Sequence, residues 1–504
     1  MNGEKLFDAI GGIDEELVAQ AEKTDLKAAR PRRRLWYAAA AVLAVAAAIT
    51  AVLWPAGSPV IVNDVTLEKP DQSLVPAPRS TEAAAFVISD VQYPFMPQRP
   101  LEAETGSGTL TQQDKEKLTA WRDSLSTLWL SNADVEKFSR FDKKIVTQLL
   151  TDLDQTNPMC SPADMYVALS MLAECASGST RAQILSLLGS SGVKELRDTA
   201  FDLWHSVYVD DGFSKALLSS SIWLRDDEAF NTKYNTETLK ILADYYKTTS
   251  FKGKMGSKEY SKAMSAWVSD QTAGLLNMDD RPLNEMTAAA LVSTVYFKAN
   301  WQKQFFENQT KQGVFHAKDA DVSVPFMHRI DSDRYYYSDD FGAVALGLES
   351  QATMWLVLPD KGVSPLDVLK KGEVFDLISD KYAWQNASSV MIDLYIPSFD
   401  VSSSGSLIES LKALGITYAF DKNKADFSAL AQSSVSIYIS EAEHDVRVKV
   451  DEKGVEAAAY VDFRLPYGAE PPSDKTEFRL DRPFLFFITN KENVLLFAGI
   501  VNEP

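Results

Sequence analysis

Apolar and polar residues alternate along residues 455–465, near the C-terminal end of the chain. A period of two is typical of a strand with one buried face. The segment lies between two runs of strand-forming residues, 446–450 and 484–488, which are separated by roughly thirty residues without a helical period. We therefore predict a long loop that is able to become a strand. Its apolar positions are Val455, Ala457, Ala459, Val461, Phe463 and Leu465.

The pattern also predicts regular elements in the rest of the C-terminal part. The apolar pairs at 145–146 and 149–150 share one face of a predicted helix, and residues 161–172 predict a second helix. Strands are predicted for residues 221–224 and 288–298. From about residue 109 onwards we therefore expect a single large domain, 109–504.

The N-terminal region has a different pattern. Residues 35–54 carry no charged side chain, and a stretch of this length spans a bilayer core of about 30 Å. Arginines cluster in residues 30–34, and such clusters stay in the cytoplasm. We predict a transmembrane signal-anchor helix at 35–54 with a cytoplasmic tail, 1–34. The alternative is secretion after cleavage, although signal peptides have shorter apolar cores of about 7–15 residues.

Residues 55–108 are rich in Pro, Ser, Gly and Ala and lack a sustained period. This composition predicts an extracytoplasmic stalk or linker that holds the following domain away from the membrane. Within it, the patch at 87–96 is apolar enough to dock locally.

Composition excludes several classes of function. The formal net charge of −19 argues against nucleic-acid binding, which requires basic surfaces. The two cysteines, Cys160 and Cys175, are interpreted as reduced and buried, since a helix between them would separate them by about 22 Å at 1.5 Å per residue. No nucleophile elbow, zinc motif, phosphate loop or calcium loop is found, and the four histidines lack metal-ligand spacing. We expect no enzyme activity, metal or cofactor.

One stretch of the loop has a specific likeness. The sequence from Glu452 to Ala459 resembles the hinge of the reactive-centre loop of serpins, and residues 497–504 resemble the C-terminal strand of that family. Further likenesses follow in the same order along residues 145–504. The hinge residues are Glu452, Lys453, Gly454, Val455, Glu456, Ala457, Ala458 and Ala459.

This resemblance implies an α+β fold, the serpin fold. Its features are a large central mixed β-sheet, two smaller sheets, about eight or nine helices and an exposed reactive-centre loop, here about 452–477. The layout resembles a bacterial-type serpin with an N-terminal membrane anchor.

The resemblance also implies a function as an extracytoplasmic serine-type endopeptidase inhibitor that acts as a suicide substrate. The protease cleaves the loop, is trapped as an acyl-enzyme, and the loop inserts as a strand into the central sheet. Every inward position is apolar, including Val461, Phe463 and Leu465, so no buried unpaired charge opposes insertion. The alternatives are a non-inhibitory serpin-fold binding module and a transmembrane sensor.

The candidate scissile region is Tyr467, Gly468, Ala469 and Glu470. It contains no basic residue, which argues against a trypsin-like target. The expected partner is an elastase-like, chymotrypsin-like or subtilisin-like serine protease, and a papain-like cysteine protease remains open. We expect the inhibitor to be a monomer.

By resemblance, four further residues belong to the shutter and breach regions of the central sheet: Ser161, Ser293, His444 and Trp301. Ser293 is a departure, because serpins commonly have asparagine there to partner the histidine. Serine has a single short hydroxyl, so we expect the contact of His444 to pass through another group.

Overall fold

The computed structural model describes residues 74–76, 81–96, 112–125, 130–212, 214–226, 231–276, 283–455 and 474–504. The chain divides into two units, Met1–Glu68 and Lys69–Pro504, and every described residue belongs to the second. The predicted cytoplasmic tail and the anchor at 35–54 lie outside the described residues, as does the loop segment 456–473. Within the described ranges, every helix is too short or too polar to cross a membrane.

The described part of the chain contains eleven α-helices, more than the eight or nine expected. Several have only one or two turns, and a hydrophobic period cannot be recognised over so few residues. In chain order they are α1 Thr81–Ala84, α2 Gln112–Leu125, α3 Asn132–Asp152, α4 Pro162–Cys175, α5 Gly178–Leu188, α6 Val193–Val207, α7 Thr236–Tyr246, α8 Lys258–Gln271, α9 Pro365–Lys371, α10 Glu373–Ser379 and α11 Ile408–Ala413.

The central sheet has eight strands and is mixed, because β6 and β8 run parallel whereas the other pairs are antiparallel. Strands are numbered in chain order. From one edge to the other the sheet contains β15 Phe399–Ser406, β17 Glu443–Val450, β18 Gly454–Val455, β9 Ala289–Asn300, β6 Lys215–Arg225, β8 Thr248–Gly253 and β2 Val87–Ser89, and β5 Val209–Asp210 pairs with β6.

The strands of the two smaller sheets expected from the resemblance join in one hydrogen-bonded sheet of nine strands. Its strands are β19 Lys475–Arg479, β14 Ala387–Pro397, β11 Asp321–Tyr337, β12 Phe341–Gly347, β13 Thr353–Pro359, β20 Phe484–Thr489, β21 Leu495–Val501 and β4 Met159–Cys160, and β10 Lys311–His316 pairs with β11. Two strand pairs complete the described sheets, β1 Leu74–Pro76 with β3 Gln92–Pro94 and β7 Lys233–Tyr234 with β16 Ala431–Gln432.

Helix α4 lies at the centre of the core. It begins after Ser161, whose side chain accepts a hydrogen bond from the backbone of Asp164, and Pro162 occupies its first turn, as is typical of helix starts. The helix is buried nearly all round and packs against β9 of the central sheet and β21 of the second sheet. Cys160 and Cys175 lie at its two ends, and both are buried and free, as expected.

Part of the predicted linker is packed on the body of the molecule. Strand β2 pairs with β8 and forms an edge of the central sheet, and Val91, Tyr93 and Met96 are buried. The ring of Tyr93 lies 5.2 Å from that of Trp204 and 5.8 Å from that of Tyr208. Residues 81–96 therefore form a docked segment, which the apolar character of 87–96 had suggested.

Candidate functional site

The start of the predicted hinge lies between two strands of the central sheet. Val455 pairs with Ala299 of β9 on one side and with Val450 of β17 on the other. The preceding backbone is fixed as well, because Lys453 O accepts a hydrogen bond from Trp301 N at 2.9 Å and Glu452 O accepts one from Phe305 N at 3.1 Å. Residues 452 and 453 are thus fixed by the backbone just after β9, and Gly454–Val455 form a short strand between β9 and β17.

Gly454 is required here by a close approach of two backbones. A Cβ atom at this position would lie 2.3 Å from Ala299 O and 2.6 Å from the Cα atom of Asn300. Such distances are far below van der Waals contact, and backbone atoms cannot move aside as a flexible side chain can. The sequence showed a glycine in the hinge, but only the register of the neighbouring strand explains it.

Trp301 contributes both packing and a hydrogen bond to the hinge. Its side chain is buried, and its indole Nε1 donates to Asp451 O at 2.9 Å. Asp451 Oδ1 in turn accepts a hydrogen bond from Lys453 N at 3.0 Å, and Thr310 Oγ1 donates to Glu452 Oε1 at 2.7 Å. Asp451 and Thr310 could not be assigned to the hinge from the sequence, because Thr310 comes into contact with it only through the fold and Asp451 carries no distinguishing motif.

Strands β9 and β17 flank the hinge on its two sides. Among the described residues, β9 and β17 share no backbone pairing and meet only through β18. A cleft of about 10 Å³ lies just past the hinge, with Phe297 of β9, Val448 of β17 and Val455 among its lining residues. In the described part of the chain, strands β9 and β17 therefore form no backbone hydrogen-bond pairs with each other.

The predicted shutter residues meet below α4. Ser161 N donates a hydrogen bond to His444 Nε2 at 3.0 Å, so this nitrogen is an acceptor and the imidazole is neutral. The Ser293 hydroxyl donates to Asp164 Oδ1, and Asp164 Oδ2 lies 4.0 Å from His444 Nδ1. Asp164 is therefore the group between Ser293 and His444, and no pattern in the sequence predicts this role.

Burial governs the protonation of this cluster. It lowers the pKa of His444 to about 4, because the charged imidazolium loses its hydration. Burial raises the pKa of Asp164 to about 6 for the same reason, against the hydrogen bond from Ser293, which lowers it. At neutral pH the cluster therefore contains a neutral imidazole beside a carboxylate.

The remaining predicted loop residues lie outside the described residues, and their positions stay predictions. They are Glu456, Ala457, Ala458, Ala459, Val461, Phe463, Leu465, Tyr467, Gly468, Ala469 and Glu470. Strand β19 resumes the described chain soon after them and pairs in parallel with β14. In the part of the chain that the structure describes, no three His, Cys, Asp or Glu side chains are grouped so as to hold a metal ion.

Comparisons with known proteins agree with this architecture. The family described as Serpin (serine protease inhibitor) matches residues 136–504. The chain is 27% identical over 383 residues to Serpin-ZX of Arabidopsis thaliana, which covers 71% of this chain and 95% of that protein. It is 26% identical over 359 residues to alpha-1-antiproteinase 2 of Equus caballus, covering 69% of this chain and 82% of the relative.

Solved structures give the same result. The native state of the thermophilic serpin tengpin superposes with a TM-score of 0.66 at 25% identity, covering 75% of this chain and 95% of tengpin. Its latent state has a TM-score of 0.62 at 23% identity, covering 74% and 98% of the two chains. The expected fold is thereby confirmed, and the chain belongs to the serpin family.

Proposed function

We propose that this protein inhibits serine-type proteases as a suicide substrate. The protease cleaves the loop between Tyr467 and Glu470, remains bound as an acyl-enzyme, and is trapped when the loop inserts into the central sheet. The observation that carries the proposal is the position of Val455, which already pairs with both β9 and β17. A strand inserted between β9 and β17 would begin at this position. In this proposal the chain acts as an inhibitor of the protease that cleaves it.

The register of the hinge supports insertion of the rest of the loop. If the strand continues in the register of Val455, every second residue lies on the buried face of the sheet, beside buried neighbours such as Phe297 and Val448. These inward positions are the apolar ones predicted from the sequence. In the same register Val461 would lie between Ser293 and His444 of the shutter. The matching partners on β9 and β17 would be Phe297 and Val448 for Ala457, Val295 and Val446 for Ala459, and Ser293 and His444 for Val461.

The outward positions of the inserted strand also suit their surroundings. In the same register Glu456 would lie between Lys298 and Lys449, neither of which is buried. Opposite charges on directly neighbouring strands contribute roughly 0.2–1 kcal/mol per pair. The first outward residue to enter the sheet would thus be attracted to both strands that receive it.

The loop chemistry selects the protease class. Tyr467, Gly468, Ala469 and Glu470 offer small, aromatic or acidic side chains and no lysine or arginine. We therefore propose an elastase-like, chymotrypsin-like or subtilisin-like target and no trypsin-like one. A papain-like cysteine protease would also form a thioester that insertion could trap.

We further propose that the inhibitor is displayed outside the cell and is held in the membrane by residues 35–54. The uncharged stretch and the preceding arginines support this orientation. Extraction of membranes at alkaline pH tests it, because an anchored protein stays in the membrane pellet whereas a protein cleaved as a secretory precursor is released.

In the central experiment the full chain is incubated separately with an elastase-like, a chymotrypsin-like, a subtilisin-like, a trypsin-like and a papain-like protease. Each mixture is then analysed on a denaturing gel. We expect a band of inhibitor joined to protease that survives denaturation, and release of the C-terminal peptide, whose mass gives the scissile bond. The variant Val455→Arg should be cleaved at the same bond without trapping, because a buried unpaired charge opposes insertion. Val435→Arg is the matched control, since Val435 is 45% exposed and the same change should leave trapping intact. Trapping by Val455→Arg at the wild-type level would exclude the insertion mechanism.

A further inference from the structure

A cleft with a volume of about 650 Å³ lies between helices α3 and α6, and none of its lining residues belongs to the hinge or the shutter. Its size falls within the range of about 300–1,000 Å³ that is typical of small-molecule sites. Five carboxylates and three cationic side chains line it, which gives it a formal charge of −2. The acids are Asp134 and Glu136 of α3 and Glu195, Asp198 and Asp202 of α6. The cleft is therefore a negatively charged pocket of the size that a small molecule fills.

The cationic side chains of the cleft are already engaged with three of its acids. The pairs are Lys137 with Glu195 at 2.8 Å, Arg140 with Glu136 at 3.1 Å and Lys194 with Asp198 at 2.7 Å. Asp202 is in a different situation, because the nearby charges that act on it are those of Asp134 and Asp198. Partial burial and these two negative charges raise the pKa of Asp202. A bound cation beside Asp202 would relieve this repulsion.

A buried hydroxyl without a partner lies behind the carboxylates. Tyr166 of α4 is 1% exposed, and its ring is held edge-on by Phe138 and Phe141, with 4.9 Å and 5.2 Å between the ring centres. Among the described residues its hydroxyl oxygen has no hydrogen-bond partner. After burial, the charges that raise the pKa of Tyr166 are those of Asp134 and Glu195, so the hydroxyl is directed at the acidic wall of the cleft. A buried hydroxyl without a partner costs free energy, and a donor that enters the cleft beside Asp134 would satisfy it.

The spacing of the carboxylates selects the ligand. Asp198 and Asp202 are four residues apart on α6 and therefore lie on one face of the helix, about 5–6 Å apart. A metal ion needs several ligands around one point, whereas within the described ranges no three acidic, His or Cys side chains are grouped in this way. Carboxylates spread along a helix instead match ammonium groups spaced along a carbon chain. The pair of Lys194 with Asp198 is 84% and 51% exposed, and exposed pairs are weak, so a ligand can displace Lys194.

We propose that the cleft between α3 and α6 binds a linear polyamine, an organic cation with two or more ammonium groups on one chain. One ammonium group binds Asp202 and Asp198, and the next binds Asp134 and donates to the Tyr166 hydroxyl oxygen. The site contains no residue of the loop or the hinge, so this inference does not depend on the proposed inhibitory function. Because the ligand binds the folded chain, it stabilises the fold in proportion to its concentration relative to its dissociation constant.

Calorimetric titration of the full chain in a neutral detergent with spermidine, at constant ionic strength, tests the site. We expect saturable binding of one spermidine per chain and a melting temperature that rises with the spermidine concentration. Asp202→Asn should weaken binding at least about fivefold, and Tyr166→Phe about tenfold, because each removes a contact of an ammonium group. Asp321→Asn is the matched control, since it makes the same change at a side chain that is 66% exposed and contacts His316. It should change the affinity less than about twofold.

The outcomes distinguish a site from general attraction to an acidic protein. Equal effects of Asp202→Asn and Asp321→Asn would indicate only diffuse attraction to the net charge of −19 and would overturn the site. Wild-type affinity of both Asp202→Asn and Tyr166→Phe would overturn it as well. Butylamine, with a single ammonium group, should bind at least about tenfold more weakly than spermidine, and displacement of spermidine by magnesium chloride at the same ionic strength would overturn the assignment to a polyamine. Melting temperatures of the free variants no lower than that of the wild type establish that the fold is retained.

Discussion

Replacing Gly454 by alanine is the sharpest test of how the hinge enters the central sheet. The added Cβ atom would lie 2.3 Å from Ala299 O and 2.6 Å from the Cα atom of Asn300, so the two backbones would have to separate. Overpacking of this kind costs about 1–3 kcal/mol. The intact protein can avoid the clash by leaving its hinge undocked, whereas the inserted form cannot. Insertion should therefore become slower and less favourable.

The magnitude follows from the barrier. Each 1.36 kcal/mol changes a rate tenfold, so a rise of about 1–3 kcal/mol slows insertion about 5- to 150-fold. Slow insertion gives the acyl-enzyme time to hydrolyse, which releases cleaved inhibitor and free protease. The number of inhibitor molecules that are cleaved without trapping, for each protease molecule trapped, should therefore rise by the same factor. Titration of a fixed amount of protease with increasing inhibitor measures this number directly.

The matched control is Gly192→Ala, because a Cβ atom at Gly192 meets no atom within 4 Å. Its φ of −174° is extended backbone that alanine adopts without strain. It should titrate as the wild type does. If Gly454→Ala also traps protease at the wild-type stoichiometry, the register of the hinge between β9 and β17 is not the one through which the loop inserts.

Three further predictions concern stability. In Asp164→Asn the free energy of unfolding should fall by about 3 kcal/mol as the pH is lowered from 6.5 to 4, because the lowered pKa of His444 makes the folded protein bind fewer protons there than the unfolded chain does. In His444→Gln the free energy of unfolding should rise by about 2 kcal/mol between pH 6 and 4, because the raised pKa of Asp164 makes the folded protein bind more protons there than the unfolded chain does. Urea unfolding that shows the same pH dependence in both variants would contradict this. Tyr93→Ala should lower the free energy of unfolding by about 3–5 kcal/mol in urea, whereas Phe95→Ala, at a residue 37% exposed, should change it much less. Trp301→Phe should lower it by about 1 kcal/mol beyond any packing loss, because the hydrogen bond to the hinge backbone is removed; a melting temperature equal to that of the wild type would argue against that role.

Runs of strand-forming residues were sufficient to predict several strands of the fold. Residues 446–450 and 484–488 lie within β17 and β20, and the buried helix after Ser161 begins where the pattern and the proline indicate. These elements are long or strongly patterned, and each carries its own evidence in its residues. Helix α1 and strand β19 have four and five residues, too few for a period to be recognised.

The contacts of the site depend on long-range register, which no local pattern encodes. Asp164 is an unremarkable first-turn acid of α4 in the sequence, yet it lies between Ser293 and His444, residues 129 and 280 positions away. From the sequence, Gly454 is interpreted only as a flexible hinge residue. The structure shows that the close approach of the β9 backbone requires glycine there. The family resemblance identified the regions involved, and the geometry supplied the partners.

The two cysteines have a consequence for how freely the molecule can move. Both thiols are buried and unbridged, and burial raises the pKa of Cys175 to about 12, so neither reacts readily with oxidants or disulfides. No covalent cross-link therefore ties one half of the sheet to the other. Any separation of β9 from β17 is opposed by packing and hydrogen bonds and not by a disulfide, so we expect it to occur equally under reducing and oxidising conditions.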